Sequence, residues 1–278
     1  MIFDFLYVNI FRIRAHAVGS LNHGCADSVF YRVANGEFQA EAVKRRGRDR
    51  MLLTKRFNLI CGHYGCGKTN LSLNLALEAA QAGQKVTLVD MDLVNPYFRS
   101  SDYAAQLQHE NIRIIAPVYA NSNVDVPSLP PEVYGIFDSD ELVIMDVGGD
   151  DVGATVLGRF SAQINALDYD LYYVINKYRN LTAEPEEAAK VLQEIERVSR
   201  LKASGIISNA HLKAETTAEV ILSSLEYAKR VEELTGLTCR AVTVPKRILT
   251  ELEKKTEENN VKVLLYPIDI IVKSNFES

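Results

Sequence analysis

The chain has 278 residues, 47% hydrophobic and 24% charged, with 31 Lys plus Arg against 36 Asp plus Glu and a formal net charge of -5. That length and mix suit a soluble globule of one or two domains and exclude a disordered, collagenous or coiled-coil chain as a whole. The acidic balance disfavours nucleic acid as a partner, and four scattered cysteines (Cys25, Cys61, Cys66, Cys239) with no C-x-x-C pair fit a reduced, cytoplasmic setting.

Residues 1–50 carry a net charge of +3, against -8 for the remainder, and show no sustained helical or strand period. Two readings stand: an N-terminal extension touching a partner through KRRGRDR, or sequence upstream of a true start at Met51. The second is favoured because a strand begins just beyond Met51, which makes 51–278 the domain proper. The opening MIFDFLYVNIF lacks a basic stretch and carries Asp4, against a signal peptide. No apolar run approaches the ~20 residues of a membrane helix.

From Met51 onward strands and helices alternate. Arg56–Cys61 reads as a buried strand and Thr69–Gln81 as an amphipathic helix stopped by Gly83. Strands follow at Lys85–Asp90, Ile112–Val118, Leu142–Asp146 and Leu171–Asn176. Thr182 is expected to cap a helix through Ser199, with Pro185 in its first turn. A strand at Ser204–Asn209 precedes one long helix, Thr216–Leu234, ended by Gly236. Cys239–Val244 is a strand, Ile248–Asn259 a helix, and the tail VKVLLYPIDIIV a last strand. This alternation predicts an α/β fold with three α/β/α layers and a mainly parallel sheet. Residues 119–131, rich in Pro and Asn, read as an ordered loop suited to a substrate or partner.

Gly62-His63-Tyr64-Gly65-Cys66-Gly67-Lys68-Thr69 matches G-x-x-x-x-G-K-[ST] at every fixed position, between a strand and a helix. Backbone N–H groups must converge on phosphate there, and side chains at the glycines would obstruct the turns. With Asn70 this stretch is the predicted nucleotide cradle. Lys68 supplies charge to the β- and γ-phosphates, Thr69 offers a hydroxyl to Mg²⁺, and the helix dipole faces the anion.

Such a loop needs carboxylates. Asp146 ends the apolar strand LVIMD and is followed by Gly148 and Gly149, which let backbone approach a γ-phosphate. Asp90 and Asp92 follow another strand, where parallel sheets bind ligands. Asp92 lies beyond the strand end, so it is the candidate for orienting an attacking water and for the metal shell. Asp150 and Asp151 read as solvated, and Arg99 and Arg159 as surface residues more than as charge-stabilising fingers.

On these segments the chain resembles the MinD/ParA/CobB-like branch of P-loop NTPases, which includes the nitrogenase iron protein. The matching stretches are GHYGCGKTNLSLNLALEAAQAGQKVTLVDMD, IMDVGGD, GIISNAH and VTVPKR, spanning Met51–Val244 and the loop just after it. The resemblance is closer still to a bacterial group of ATP-binding proteins. It implies ATP and Mg²⁺ as cofactors, Asp92 in switch I, Asp146 reaching Mg²⁺ through water, and Gly148 and Gly149 in switch II. It implies further that Asn209 bonds adenine and that Pro245 and Lys246 flank the base. A nucleotide-sandwich homodimer and a protein partner also follow from it.

Three departures bear on that implication. The signature lysine five positions before the invariant one is His63 here, shorter and largely neutral at pH 7. Cys61 and Cys66 do not stand where an iron–sulfur cluster would be held. The C-terminus lacks a basic amphipathic helix, so no membrane partner is expected. Asn176-Lys177-Tyr178-Arg179 is close to a guanine signature but has Arg179 in place of the aspartate, which favours adenine. Three functions remain open: an ATP-hydrolysing switch, an ATP-dependent metabolic enzyme, and a module that holds nucleotide without turnover. The first is preferred.

Overall fold

Eight of the segments read as strands pair into one sheet whose every ladder is parallel, in a computed structural model that describes residues 32–34, 37–39, 52–93, 111–117, 129–149 and 151–272. The expectations for Arg99 and Asp150, and for most of 1–50 and 119–131, lie outside the described residues. The chain divides into Met1–Asp49 and Arg50–Ser278. In the first unit β1 (Arg32–Ala34) pairs antiparallel with β2 (Glu37–Gln39).

In the second unit, strand and helix alternate. The elements are β3 (Phe57–Cys61), α1 (Lys68–Gln81), β4 (Val86–Asp90), β5 (Ile112–Ile115) and β6 (Leu142–Asp146). Then come α2 (Asp151–Gly158), α3 (Ser161–Asn165), β7 (Tyr169–Ile175), α4 (Pro185–Ser199) and β8 (Gly205–Ser208). The chain continues through α5 (Ala218–Leu222), α6 (Leu225–Thr235), β9 (Cys239–Pro245), α7 (Leu249–Glu258) and β10 (Leu265–Ile268). The sheet order is β10-β9-β8-β7-β3-β6-β4-β5.

The two-residue period of the strands sorts their side chains into two cores. Phe57, Leu59, Val143, Met145, Leu171 and Tyr173 face one side, where Leu157, Ala188, Leu192, Tyr227 and Val231 from α2, α4 and α6 cover them. Ile60, Leu88, Ile144, Tyr172 and Val174 face the other, covered by Leu71, Leu75, Ala76 and Ala79 of α1. Burial on both faces explains why the strands read as continuous apolar runs, and it makes the fold three-layered.

Some local expectations change. The long helix at 216–234 is two helices, α5 and α6. Ser224 is fully buried between them and returns its hydroxyl to the Ile221 carbonyl at 2.7 Å, ending α5. Gly236 does close α6, at φ 72°. Thr182 is not the cap of α4: it is buried, with its hydroxyl on the Asn176 carbonyl, and Glu184 forms a capping box with Glu187. α2 and α3 follow Gly148 and Gly149, where no helix is expected from the sequence.

Candidate functional site: the phosphate loop and its carboxylates

Because every strand of the sheet is parallel, the C-terminal ends of β3, β4, β6, β7, β8 and β9 open onto one edge. The chain leaves β3 toward β4 and β5, and later returns to β6 and then β7 on its other flank, so the crevice beyond β3 is a topological switch point. The loop 62–67 fills it.

Gly62, Gly65 and Gly67 have φ of 146°, 74° and 89°, values open to glycine at little cost. A Cβ on Gly67 would collide with the Asn209 amide, so the turn is closed by contact as well as by conformation. Lys68 opens α1, is 8% exposed, and donates Nζ to the His63 carbonyl at 3.2 Å. The Cys66 N–H points at that same carbonyl, at 3.3 Å.

Asp146 is register partner of Asp90 on the neighbouring strand. Its carboxylate accepts the Thr69 hydroxyl at 2.7 Å and the Ser72 hydroxyl at 3.3 Å. Burial raises its pKa to about 6, against the opposing pull of Lys68 and the Thr69 hydrogen bond, while the nearby Asp92 carboxylate pushes it up further. Asp90 is buried and accepts the Asp92 N–H at 2.9 Å, turning Asp92 out beyond β4 to a half-buried position. Thr69, Asp146 and Asp92 thus converge beside Lys68. This oxygen-rich set suits a hard cation such as Mg²⁺, which typically takes its remaining ligands from phosphate and water. No cluster of three or more His, Cys, Asp or Glu able to hold a metal forms among the described residues.

Gly149 closes the opposite wall. A Cβ there would stand 2.6 Å from the Tyr64 nitrogen and 2.8 Å from Lys68 Nζ, so the backbone after Asp146 lies directly against the loop. The buried Val147 and Gly148 lie between Asp146 and Gly149. His63 is half-buried with Nδ1 3.0 Å from the Tyr64 carbonyl, and Tyr64 is 64% exposed at the rim.

At the end of β8, Asn209 is 2% exposed; its amide donates to the Cys66 carbonyl at 2.6 Å and accepts the Thr243 hydroxyl. Pro245 ends β9, and the exposed Lys246 pairs with Asp269. The Asn70 side chain is engaged with the C-terminal segment: both ends of its amide bind there, at Asp269, Ile271 and Val272. Arg159 is exposed at the end of α2.

Three participants escape sequence reasoning. Ser72, one turn beyond Thr69, joins it on Asp146. Arg179 reaches back from beyond β7 to donate Nε to the Gly65 carbonyl at 2.6 Å. His211 lies against Gly67, its pKa lowered to about 4 by burial and by the Arg179 and Lys213 cations. The i, i+3 spacing on α1 was a usable signal for Ser72; Arg179 and His211 had none. A separate cavity of about 720 Å³, lined by Lys55, Arg56, Lys85 and Glu141, lies at the N-terminal ends of the strands, away from this site.

Among solved structures the chain is similar to FtsY from Mycoplasma mycoides, at 18% identity and TM-score 0.41, covering 71% of this chain and 63% of that one. It is similar to MinD with Mg-ADP from Pyrococcus horikoshii OT3, at 15% identity and TM-score 0.42, covering 71% and 85%. The kinase domain of the Escherichia coli tyrosine kinase ETK matches at 20% identity and TM-score 0.39, covering 64% and 77%. No curated protein matches the chain. The family model of the CobQ/CobB/MinD/ParA nucleotide binding domain matches residues 62–221, from the first glycine of the phosphate loop into α5. With more than half of its length inside that match, the chain belongs to the CobQ/CobB/MinD/ParA nucleotide-binding domain family.

Proposed function

We propose that this protein binds ATP with Mg²⁺, hydrolyses it, and acts as a nucleotide-controlled switch of the MinD/ParA type. One observation carries the reading: the Thr69 hydroxyl and the Asp146 carboxylate meet at 2.7 Å beside the Lys68 ammonium. In this reading the amides of residues 65–69 receive the β-phosphate and Lys68 bridges the β- and γ-phosphates. Thr69 and Asp146 hold Mg²⁺, which when bound neutralises charge building on the phosphates. Asp92 orients the attacking water, and Gly148 and Gly149 sense the γ-phosphate.

Base selection follows from Asn209. Its carboxamide, anchored on the Cys66 carbonyl and by the Thr243 hydroxyl, is the group this reading sets against the base. The aspartate that would read guanine in the 176–179 pattern is Arg179 here, which offers no acceptor to the donors of guanine. Adenine is therefore the base of this reading, with Pro245 and Lys246 beside it. The readout would be a change in switch order passed to a protein partner or to a second copy of the chain. A cytoplasmic setting accords with the thiols Cys61, Cys66 and Cys239, all free. No described helix is long and apolar enough to cross a membrane.

His63 favours one second reading, a module that holds nucleotide without turnover, because it offers no lysine to a partner's phosphates. Phosphate release from Mg-ATP separates the two. Turnover by the full chain, lost in Lys68→Ala and slowed in Asp92→Ala, supports the switch. Binding without release of phosphate would leave the holding module.

A further inference from the structure

Two side chains from outside the phosphate loop hold two of its successive peptide planes. Asn209 donates to the Cys66 carbonyl, and Arg179 donates to the Gly65 carbonyl, both at 2.6 Å. In a planar trans peptide the C=O and N–H point in opposite directions. Holding the Gly65 carbonyl outward therefore turns the Cys66 N–H inward, and holding the Cys66 carbonyl does the same for the Gly67 N–H. The inward side is identifiable, because the Cys66 N–H donates, at a long 3.3 Å, to the His63 carbonyl that also receives Lys68 Nζ.

Arg179 is built for this task. A Cβ on Gly65 would stand 3.3 Å from Arg179 Nε and 3.6 Å from its Cδ and Cζ, so the bare glycine leaves room for the side chain. Its own turn is pinned. Arg179 N donates to the Asn176 carbonyl at 3.2 Å, Thr182 N donates to the Arg179 carbonyl at 2.9 Å, and Tyr178 N donates to the Asn176 side chain at 3.0 Å. The Tyr178 hydroxyl ties the same turn to the Val220 carbonyl at 3.0 Å. Arg179 lies close enough to the loop for its charge to reach both Cys66 and His211.

We propose that Arg179 is a positioning residue for phosphate recognition: by gripping the Gly65 carbonyl it aims the Cys66 N–H at the phosphates of the bound nucleotide. The inference rests on the nucleotide-binding reading and adds to it a residue from beyond β7. Arg179 acts on the phosphate part of the ligand through the loop, and base selection remains with Asn209.

The test compares the full chain with Arg179→Ala and Arg179→Lys by calorimetric titration with Mg-free ADP and with inorganic tripolyphosphate. Loss of one charge-assisted hydrogen bond should weaken both probes by about ten- to a hundredfold in Arg179→Ala. Arg179→Lys, which keeps a cationic donor, should recover part of that loss for both; a purely structural defect would not track the donor in this way. If Arg179→Ala does not fold, Arg179→Met, which keeps the stem, replaces it below its melting temperature. ADP affinity within twofold of wild type in the Ala or Met variant would overturn the inference, as would loss of ADP with tripolyphosphate unaffected. Failure of the wild-type chain to bind either probe would instead remove the nucleotide reading itself.

Discussion

The hydroxyl of Thr69 donates to the carboxylate of Asp146 at 2.7 Å, joining two residues 77 positions apart in sequence. The contact links the start of α1 to the end of β6, so the group expected to hold Mg²⁺ and the carboxylate expected to support it are already together. Asp146→Asn should therefore leave Mg-free ADP affinity within a few-fold of wild type and abolish the gain in affinity that added Mg²⁺ brings. Titration of a fluorescent ADP with and without EDTA reads both quantities. A Mg²⁺ effect equal to wild type would remove Asp146 from the metal shell.

Asp146 and His211 give the apo protein two opposed pH dependences. Burial raises Asp146 from 3.8 to about 6, so its contribution to stability is greatest below pH 3.8 and falls as pH rises toward 6. Burial and neighbouring cations lower His211 from 6.5 to about 4, so its contribution is full above pH 6.5 and is lost as pH falls toward 4. The two slopes largely cancel in the wild-type chain. His211→Gln should expose the Asp146 slope, its stability relative to wild type falling as pH rises from about 4 to about 6. Asp146→Asn should show the reverse. Melting temperatures across that range decide it; parallel curves for all three proteins would contradict the assignment.

Gly149 touches the loop so closely that a methyl group has no room, standing 2.6 Å from the Tyr64 nitrogen. Gly149→Ala should push the backbone after Asp146 off the loop. ATP affinity is expected to drop about tenfold or more, a strain of about 1–3 kcal/mol, while ADP affinity changes little. Equal loss of both nucleotides would show that Gly149 serves the loop as a whole and not the γ-phosphate.

Asn70 and Asn74, one turn apart on α1, hold the backbone of the C-terminal segment. Asn74 exchanges two hydrogen bonds with Asp269, at 2.9 and 2.8 Å. Asn70 accepts from Ile271 and Val272 at 2.8 and 3.1 Å. Replacing Asn74 by Ala strands polar backbone against α1 and should cost about 1–3 kcal/mol of stability. Denaturant unfolding measures it, and a midpoint unchanged from wild type would show that the segment does not depend on this pair.

The sequence announces the parts of the site that short-range physics dictates. The three loop glycines are required by positive φ, and the five-residue apolar strands before Gly62 and Gly148 are required by burial on both faces of a parallel sheet. What the sequence conceals depends on tertiary pairing. The split between α5 and α6 turns on Ser224 being buried, although the helical pattern runs straight through it. Asn70, adjacent to Thr69, reads as part of the cradle, and nothing local foretells that its side-chain amide holds the C-terminal segment. Arg179 draws attention for the acceptor it lacks, whereas its guanidinium works on Gly65 across 114 positions of sequence. No local signal encodes such a reach.

The central claim is that residues 62–69 with Asp146 form a working nucleotide site. Calorimetric titration of the full chain with a non-hydrolysable ATP analogue and Mg²⁺ tests it most directly, with Lys68→Ala alongside. The expected result is saturable binding to one site per chain, strengthened by Mg²⁺ and weakened at least about a hundredfold by Lys68→Ala. Equal affinity in the two proteins, or no binding to the wild-type chain, would contradict it.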